Sequence, residues 1–324
     1  MSIANKTVLV GGGTGFIGKE LVSVLLKNNN KVIVVSRSSN KVADLFKSKD
    51  VKTATWEDLE HFKLNPDDID VGINVTGEPI ANRSWSSESN VRELLESRTI
   101  PTKKMISFLK SSDKEKTFVG TSAVGIYPLG QNKVYNESDQ DVANTKIGTF
   151  CKDIEDTIAD GIASSNIRPA IIRPGIVLGK EGGVLPIFQV PFMGYVMQGQ
   201  NPLPWIHIKD LVDLYTFSAE NSQINGPVNG VAPENITSEE FFKILHQEIK
   251  NRSTLDKFLQ VTRQLDYFGY KPAQKLIVDS LRQVLGEERS SLLFEGQFAE
   301  NKKAVENGFK FKYTNAREAI KDLL

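Results

Sequence analysis

Cysteine is nearly absent from this 324-residue chain. A single thiol, Cys151, cannot close an internal disulfide, and it cannot supply the clustered thiolates of a structural zinc site or an iron–sulfur centre. Histidine is almost as scarce. His61, His207 and His246 are too few and too scattered to build a metal-ligand cluster or a Ser-His-Asp order, so no metal site is expected. Net charge is missing as well: 40 basic side chains balance 40 acidic ones, and no overall field draws the chain to nucleic acid or an anionic membrane surface. Long apolar runs are lacking too, because Gly, Pro or polar residues break them well short of a membrane span. The start, MSIANKTVLV, carries neither an apolar signal core nor an Arg-rich amphipathic stretch. These absences point to a soluble, cytoplasmic protein that handles a small-molecule substrate, with no nucleic-acid or membrane partner and its oligomeric state left open.

What the chain does have is core-forming material, with 40% hydrophobic residues in a length that allows a large α/β domain or a core with a smaller second lobe. From Thr7, short β-branched runs alternate with helical patterns: TVLV, KELVSVLLKN, then KVIVVSR, the βαβ rhythm of a parallel sheet. IDVGINV (69–75), KTFVGTS (116–122) and IRPAIIRPG (167–175) predict further strands, almost continuously apolar because helices cover both faces of such a sheet. Helices are expected near 90–110 and 149–164. After Gly175 the chain turns rich in Gly, Pro and large apolar residues without a clear period, which suits a substrate-covering lobe. Its pocket candidates are Pro186, Phe188, Phe192, Tyr195 and Trp205. GPVNGVA (226–232) predicts one more strand, Thr237 is an N-cap candidate with Glu239 and Glu240 behind it, and helices are expected near 273–287 and 315–323. The expected fold is an α/β, Rossmann-type doubly wound parallel sheet. Residues 1–178 would form its nucleotide-binding core, and 179–324 a smaller C-terminal substrate lobe interleaved with the last core strand and the C-terminal helices.

Between the first strand and the first helix lies Gly11-Gly12-Gly13-Thr14-Gly15-Phe16-Ile17-Gly18. Gly12, Gly15 and Gly18 have the spacing of a dinucleotide loop: the first permits the tight turn, the second lets the backbone approach a pyrophosphate, and the third lets helix and strand pack closely. Thr14, Phe16 and Ile17 complete the loop, whose helix N-terminus faces the phosphates. The second strand ends in Val35-Ser36-Arg37-Ser38, where an acidic residue would bind the ribose 2′-hydroxyl of NAD. No acid is there. Ser36 and Arg37 suit a 2′-phosphate instead, so NADP(H) is the expected cofactor, the alternative being that Arg37 is an ordinary solvated loop arginine.

With GGGTGFIG, the strand-end SR, Asn74-Val75-Thr76-Gly77, Ser122-Ala123-Val124-Gly125-Ile126-Tyr127, the Arg173-Pro174-Gly175 motif and Trp205-Ile206-His207, the chain resembles the short-chain dehydrogenase/reductase superfamily. More narrowly it resembles the atypical, epimerase-like branch, along nearly its whole length. The resemblance implies that Val75, Thr76 and Gly77 border the cofactor ribose, that Pro174 also belongs to the cofactor site, and that Trp85, Glu93 and Arg98 match a loop and helix approaching the cofactor. A solvated helix face would explain Glu93 and Arg98 equally well. Trp56 could border the adenine ring or pack in the core.

Most of the superfamily uses a YxxxK pair, a tyrosine acid/base whose pKa a lysine one turn later lowers. By resemblance those positions here hold Ile147 and Cys151, counted back from Glu155, and the usual serine position holds Ala123. Tyr267 and Lys271 do form a YxxxK, but in the wrong place. Ser122 and Tyr127 are the replacement candidates for catalysis, and Tyr127 could equally be a pocket wall. Cys151 reads as inert packing, and His207 as a hydrogen-bonding residue at the lobe junction beside Asp210, the expected N-cap by residue type. The function expected is that of an NADP(H)-dependent oxidoreductase or epimerase; the alternative is a non-catalytic NADPH-binding sensor or interaction protein.

Overall fold

Alternation at period two places β1 (Thr7–Gly11) at the centre of the molecule: Val8 and Val10 point to one face and Leu9 to the other, and all three are wholly buried. The computed structural model describes residues 3–47, 50–80, 83–189, 199–252 and 295–324. Within them β2 (Lys31–Val35), β3 (Val51–Ala54), β4 (Val71–Asn74), β5 (Lys116–Thr121), β7 (Ile167–Pro174) and β10 (Gly226–Gly230) join β1 in one parallel sheet. The order is β10-β7-β5-β4-β1-β2-β3. From β1 the chain moves outward to β2 on one side and later enters β4 on the other, so the C-terminal ends of β1 and β4 flank a topological switch point.

Helices cover both faces. α1 (Phe16–Lys27), with Leu21, Val22 and Leu25, packs with Leu211, Val212 and Leu214 of α7 (Ile208–Glu220) against the Val8 and Val10 face. On the Leu9 face lie α4 (Glu88–Lys110) and α5 (Lys146–Ile162), contributing Met105, Phe108, Ile154 and Ile158. Each fully buried aliphatic or aromatic side chain of this kind contributes about 1.5–3 kcal/mol. Between these, α2 (Ser39–Phe46) and α3 (Trp56–Glu60) link β2, β3 and β4.

A smaller lobe has its own core. β8 (Ile176–Leu178) pairs with β9 (Trp205–His207), and around them Phe188 of α6 (Leu185–Phe188), Phe241 and Phe242 of α8 (Ser238–Arg252) and Ile320 of α10 (Ala316–Leu323) pack together. Thr237 caps α8 as expected, in a reciprocal box: its hydroxyl accepts from Glu240 N at 3.3 Å, and Glu240 Oε2 accepts from Thr237 N at 2.9 Å. A second small sheet was not foreseen: β6 (Gly130–Tyr135) pairs with β11 (Gln297–Ala299), and α9 (Lys302–Glu306) follows. Among the described residues no helix is long and apolar enough to cross a membrane.

Two expectations change. Phe188 and Trp205 are buried in the lobe's own core, while Pro186 is exposed. Asp210 is not a cap; the N-cap of α7 is His207, whose Nδ1 accepts from Lys209 N at 3.1 Å. The Asp210 carboxylate instead accepts from Lys312 N and Tyr313 N, at 2.8 and 2.9 Å. Phe192, Tyr195, Tyr267, Lys271 and the helix expected near 273–287 lie outside the described residues.

Candidate functional site

The glycine loop floors the crevice between β1 and β4. Gly12 has φ +79°, and a Cβ on it would stand 2.8 Å from both Val75 O and Thr76 N, so only glycine lets the turn after β4 close over the loop. At Gly18 a Cβ would meet Gly12 O at 2.1 Å, which brings helix and loop into direct backbone contact. Gly15 differs from both. Its N–H donates to Gly12 O at 3.0 Å, but a Cβ there would meet only that oxygen, at 3.3 Å, so the peptide borders open space. Helix α1 begins right after it with no side-chain cap and no acidic residue in its first turn. The first amides of the helix are therefore available to an anion. Thr14, Phe16 and Ile17 are half-buried around this opening.

At the end of β2, Ser36 Oγ accepts from Ser38 N at 3.2 Å, and Ser38 caps α2. Arg37 stands between them, exposed, and its guanidinium has no hydrogen bond or ion pair among the described residues. Trp56 lies half-buried across the end of β1, its Cη2 3.1 Å from where a Cβ on Gly11 would be.

Asn74, buried at the end of β4, organises the neighbouring turn. Its amide donates to Thr102 Oγ1 at 2.9 Å while its carbonyl accepts from Thr76 N and Thr76 Oγ1, at 3.1 and 2.7 Å. Val75 N donates to Gly11 O at 3.0 Å, tying the turn to β1. Sequence reasoning quoted Asn74 without giving it a role; an amide ending an apolar strand was the available signal. Arg98 reaches the same turn from α4, donating to Glu78 O at 2.8 Å and to Leu94 O at 3.0 Å, with its guanidinium pressed against Gly77 and over the Phe150 ring. Burial brings its pKa down to about 10, so it stays charged. Glu93, by contrast, is exposed and pairs with Arg83, which also holds Glu78. Trp85 is buried, edge-on to Phe150, with Nε1 donating to Ile80 O at 3.1 Å.

Across the crevice, α5 presents Ile147 and Cys151, both buried, toward Gly125. Burial pushes the Cys151 thiol up to about 12, which leaves it protonated and inert. Ser122 Oγ is buried, has no ordinary hydrogen bond, and faces that thiol. Tyr127 is not a pocket wall. It is wholly buried, its oxygen accepts from Arg173 Nη1 at 2.7 Å, and its proton is shared between Asn229 Oδ1 and Asn136 O at 2.9 and 3.0 Å. Burial raises its pKa, so this phenol is a poor proton source as well as an inaccessible one. Arg173 in turn forms a bidentate pair with Glu155, at 2.8 and 2.7 Å. Pro174, buried, ends β7 in register with Gly230.

A doubly wound parallel sheet with an open glycine turn at its switch point defines a protein of the dinucleotide-binding Rossmann class. The sequence profile of the NAD dependent epimerase/dehydratase family matches residues 8–229, and the chain belongs to that family. A second profile, of a domain of unknown function (DUF1731), matches residues 280–323. The chain is 30% identical to the chloroplastic epimerase family protein SDR39U1 homolog of Arabidopsis thaliana over 328 residues, 99% of this chain and 87% of that one. It is 27% identical to the epimerase family protein SDR39U1 of Homo sapiens, over 98% of this chain and 99% of its relative. Among solved structures, human SDR39U1 (isoform 2) with NADPH superposes with a TM-score of 0.77 at 24% identity, covering 98% of each chain. The UDP-N-acetylglucosamine 4-epimerase of Methanobrevibacter ruminantium M1, in complex with UDP-N-acetylmuramic acid, superposes with a TM-score of 0.71 at 15% identity, over 99% of this chain and 97% of that one.

Proposed function

We propose that this chain is an NADP(H)-binding oxidoreductase or epimerase-type enzyme that acts on a small carbonyl or sugar-nucleotide-like substrate. The observation that carries the reading is an unpaired Arg37 guanidinium one strand away from a glycine turn that is open at Gly15. Gly12, Gly15 and the first amides of α1 would take the pyrophosphate, Val75 to Gly77 the ribose, and Ser36 with Arg37 the 2′-phosphate. Arg98 would hold the turn through Glu78 O without needing to touch the cofactor. The NADPH in the human SDR39U1 structure supports this choice of nucleotide, and the epimerase complex puts nucleotide sugars first among substrates to try.

When bound, the nicotinamide supplies hydride transfer. Ile147 and Cys151 give its surroundings an apolar wall and no proton relay, which typically forfeits about 10²–10⁴-fold in rate. The same wall favours a second reading, a nucleotide sensor or interaction protein. Calorimetry should give micromolar or tighter NADPH affinity, lost in a folded Gly15→Val variant. Turnover of any member of a panel of aldehydes, ketones, quinones and nucleotide sugars establishes an enzyme. Tight NADPH binding with no turnover selects the sensor, and folded protein that does not bind NADPH overturns both.

A further inference from the structure

The Phe16 ring, on the residue immediately after Gly15, lies in a slot made of glycines. A Cβ on Gly179 would stand 2.4 Å from its Cζ, one on Gly182 2.5 Å from its Cδ2, and one on Gly183 3.2 Å from its Cε1. These glycines belong to one tight hairpin: Val184 N donates to Val177 O at 3.2 Å, and Leu178 bridges Gly183 in antiparallel fashion. Gly183 makes the return at φ +71°, where a Cβ would also collide with Val177 O at 2.2 Å. Three glycines in five residues are more than a turn needs. Turn geometry accounts for Gly183 alone; the absence of side chains at Gly179 and Gly182 is explained by the ring.

The hairpin joins β8 to α6 within the smaller lobe, just after the chain leaves the central sheet at the end of β7. Its tip, Lys180 and Glu181, is exposed, and Phe16 is the aromatic wedge beneath it. We infer that Phe16 is a positioning residue that links dinucleotide binding to the placement of the substrate lobe. An anion held by the amides after Gly15 fixes the first turn of α1, and the ring carries that constraint to the hairpin. By linkage, whatever seats the hairpin tightens nucleotide binding by the same factor.

This inference rests on the NADP(H) reading above, and the two fail differently. Hydrogen exchange of a peptide spanning 176–185 is measured with and without saturating NADPH, alongside calorimetric titration of the same samples. The expected result is exchange slowed about tenfold by NADPH in the wild type, no slowing in Phe16→Ala at an NADPH concentration that calorimetry shows to saturate that variant, and slowing retained in Phe16→Leu, which keeps apolar bulk in the slot. Gly182→Ala, which fills the slot from the other side, should also lose the slowing. Bound NADPH with unchanged exchange in the wild type, or slowing that persists in both Phe16→Ala and Gly182→Ala, overturns the inference. No NADPH binding by calorimetry overturns the nucleotide reading instead.

Discussion

Arg37 and Cys151 show how differently two single residues can carry a functional expectation. An exposed arginine with no partner among the described residues retains its full complement of donors for a ligand, whereas a thiol held near pKa 12 by burial has almost no ionised form at neutral pH. If the guanidinium reads the 2′-phosphate, Arg37→Asp removes charge-assisted bonds and adds repulsion, and NADPH affinity should fall about 30-fold, roughly 2 kcal/mol. NADH, which lacks that phosphate, should be affected far less. Parallel titrations with the two nucleotides check this, and an equal loss for both would show that Arg37 senses only general charge.

At the scale of elements, the position of α5 depends on a buried network that joins it to β7 and β10. Glu155 pairs with Arg173, Arg173 with Tyr127, and Tyr127 with Asn229, whose own amide donates to Glu300 O at 2.9 Å. The side chains of the central pair are only 7% and 12% exposed, so removing one partner leaves the other charged in a medium that solvates it poorly. Glu155→Leu should cost about 3–5 kcal/mol, and the double variant Glu155→Leu with Arg173→Leu less than that, because no orphan charge remains. Urea unfolding of the two proteins checks the order; a double variant weaker than the single would refute it. This network also marks where the sequence stopped being readable. Short, almost continuously apolar runs marked β1, β2, β4, β5, β7 and β10, and helical stretches marked α4 and α5, because each of these signals is local in the sequence. The β6 and β11 pairing, the Tyr127 to Arg173 contact and the Phe16 slot join residues far apart in the chain, which no local period encodes. One hint was present: an arginine ending the apolar run IRPAIIRPG requires a buried partner. The glycine turn was legible for the opposite reason, since its glycines, strand and helix are consecutive.

Over the whole molecule, a junction between α7 and the C-terminal helix α10 contains a titratable group. His207 caps α7 through Nδ1, stacks on Tyr313 at 3.8 Å between ring centroids, and places Nε2 3.3 Å from Asp322 Oδ2 of α10. Lys209 and Lys312 complete its surroundings, each in turn paired with an aspartate. Because Nδ1 accepts the capping bond, the folded imidazole is neutral with its proton on Nε2, and protonation would abolish the cap. Burial outweighs the Asp322 charge and brings the pKa down to about 4. The unfolded chain, with a histidine pKa of about 6.5, therefore takes up a proton first as pH falls. Stability is lost between about pH 6.5 and pH 4, by roughly 2.5 kcal/mol on going from pH 7.5 to 4.5. His207→Asn retains a side-chain acceptor at the cap but cannot titrate, the response of Asp210 to pH is common to both proteins, and Lys209 and Tyr313 still hold Asp322 below its usual range in both. Urea unfolding at the two pH values should thus show a steeper acid loss in the wild type than in His207→Asn, by about the amount given. Equal losses would mean that His207 is already protonated in the folded state and that Asp322, rather than burial, governs it.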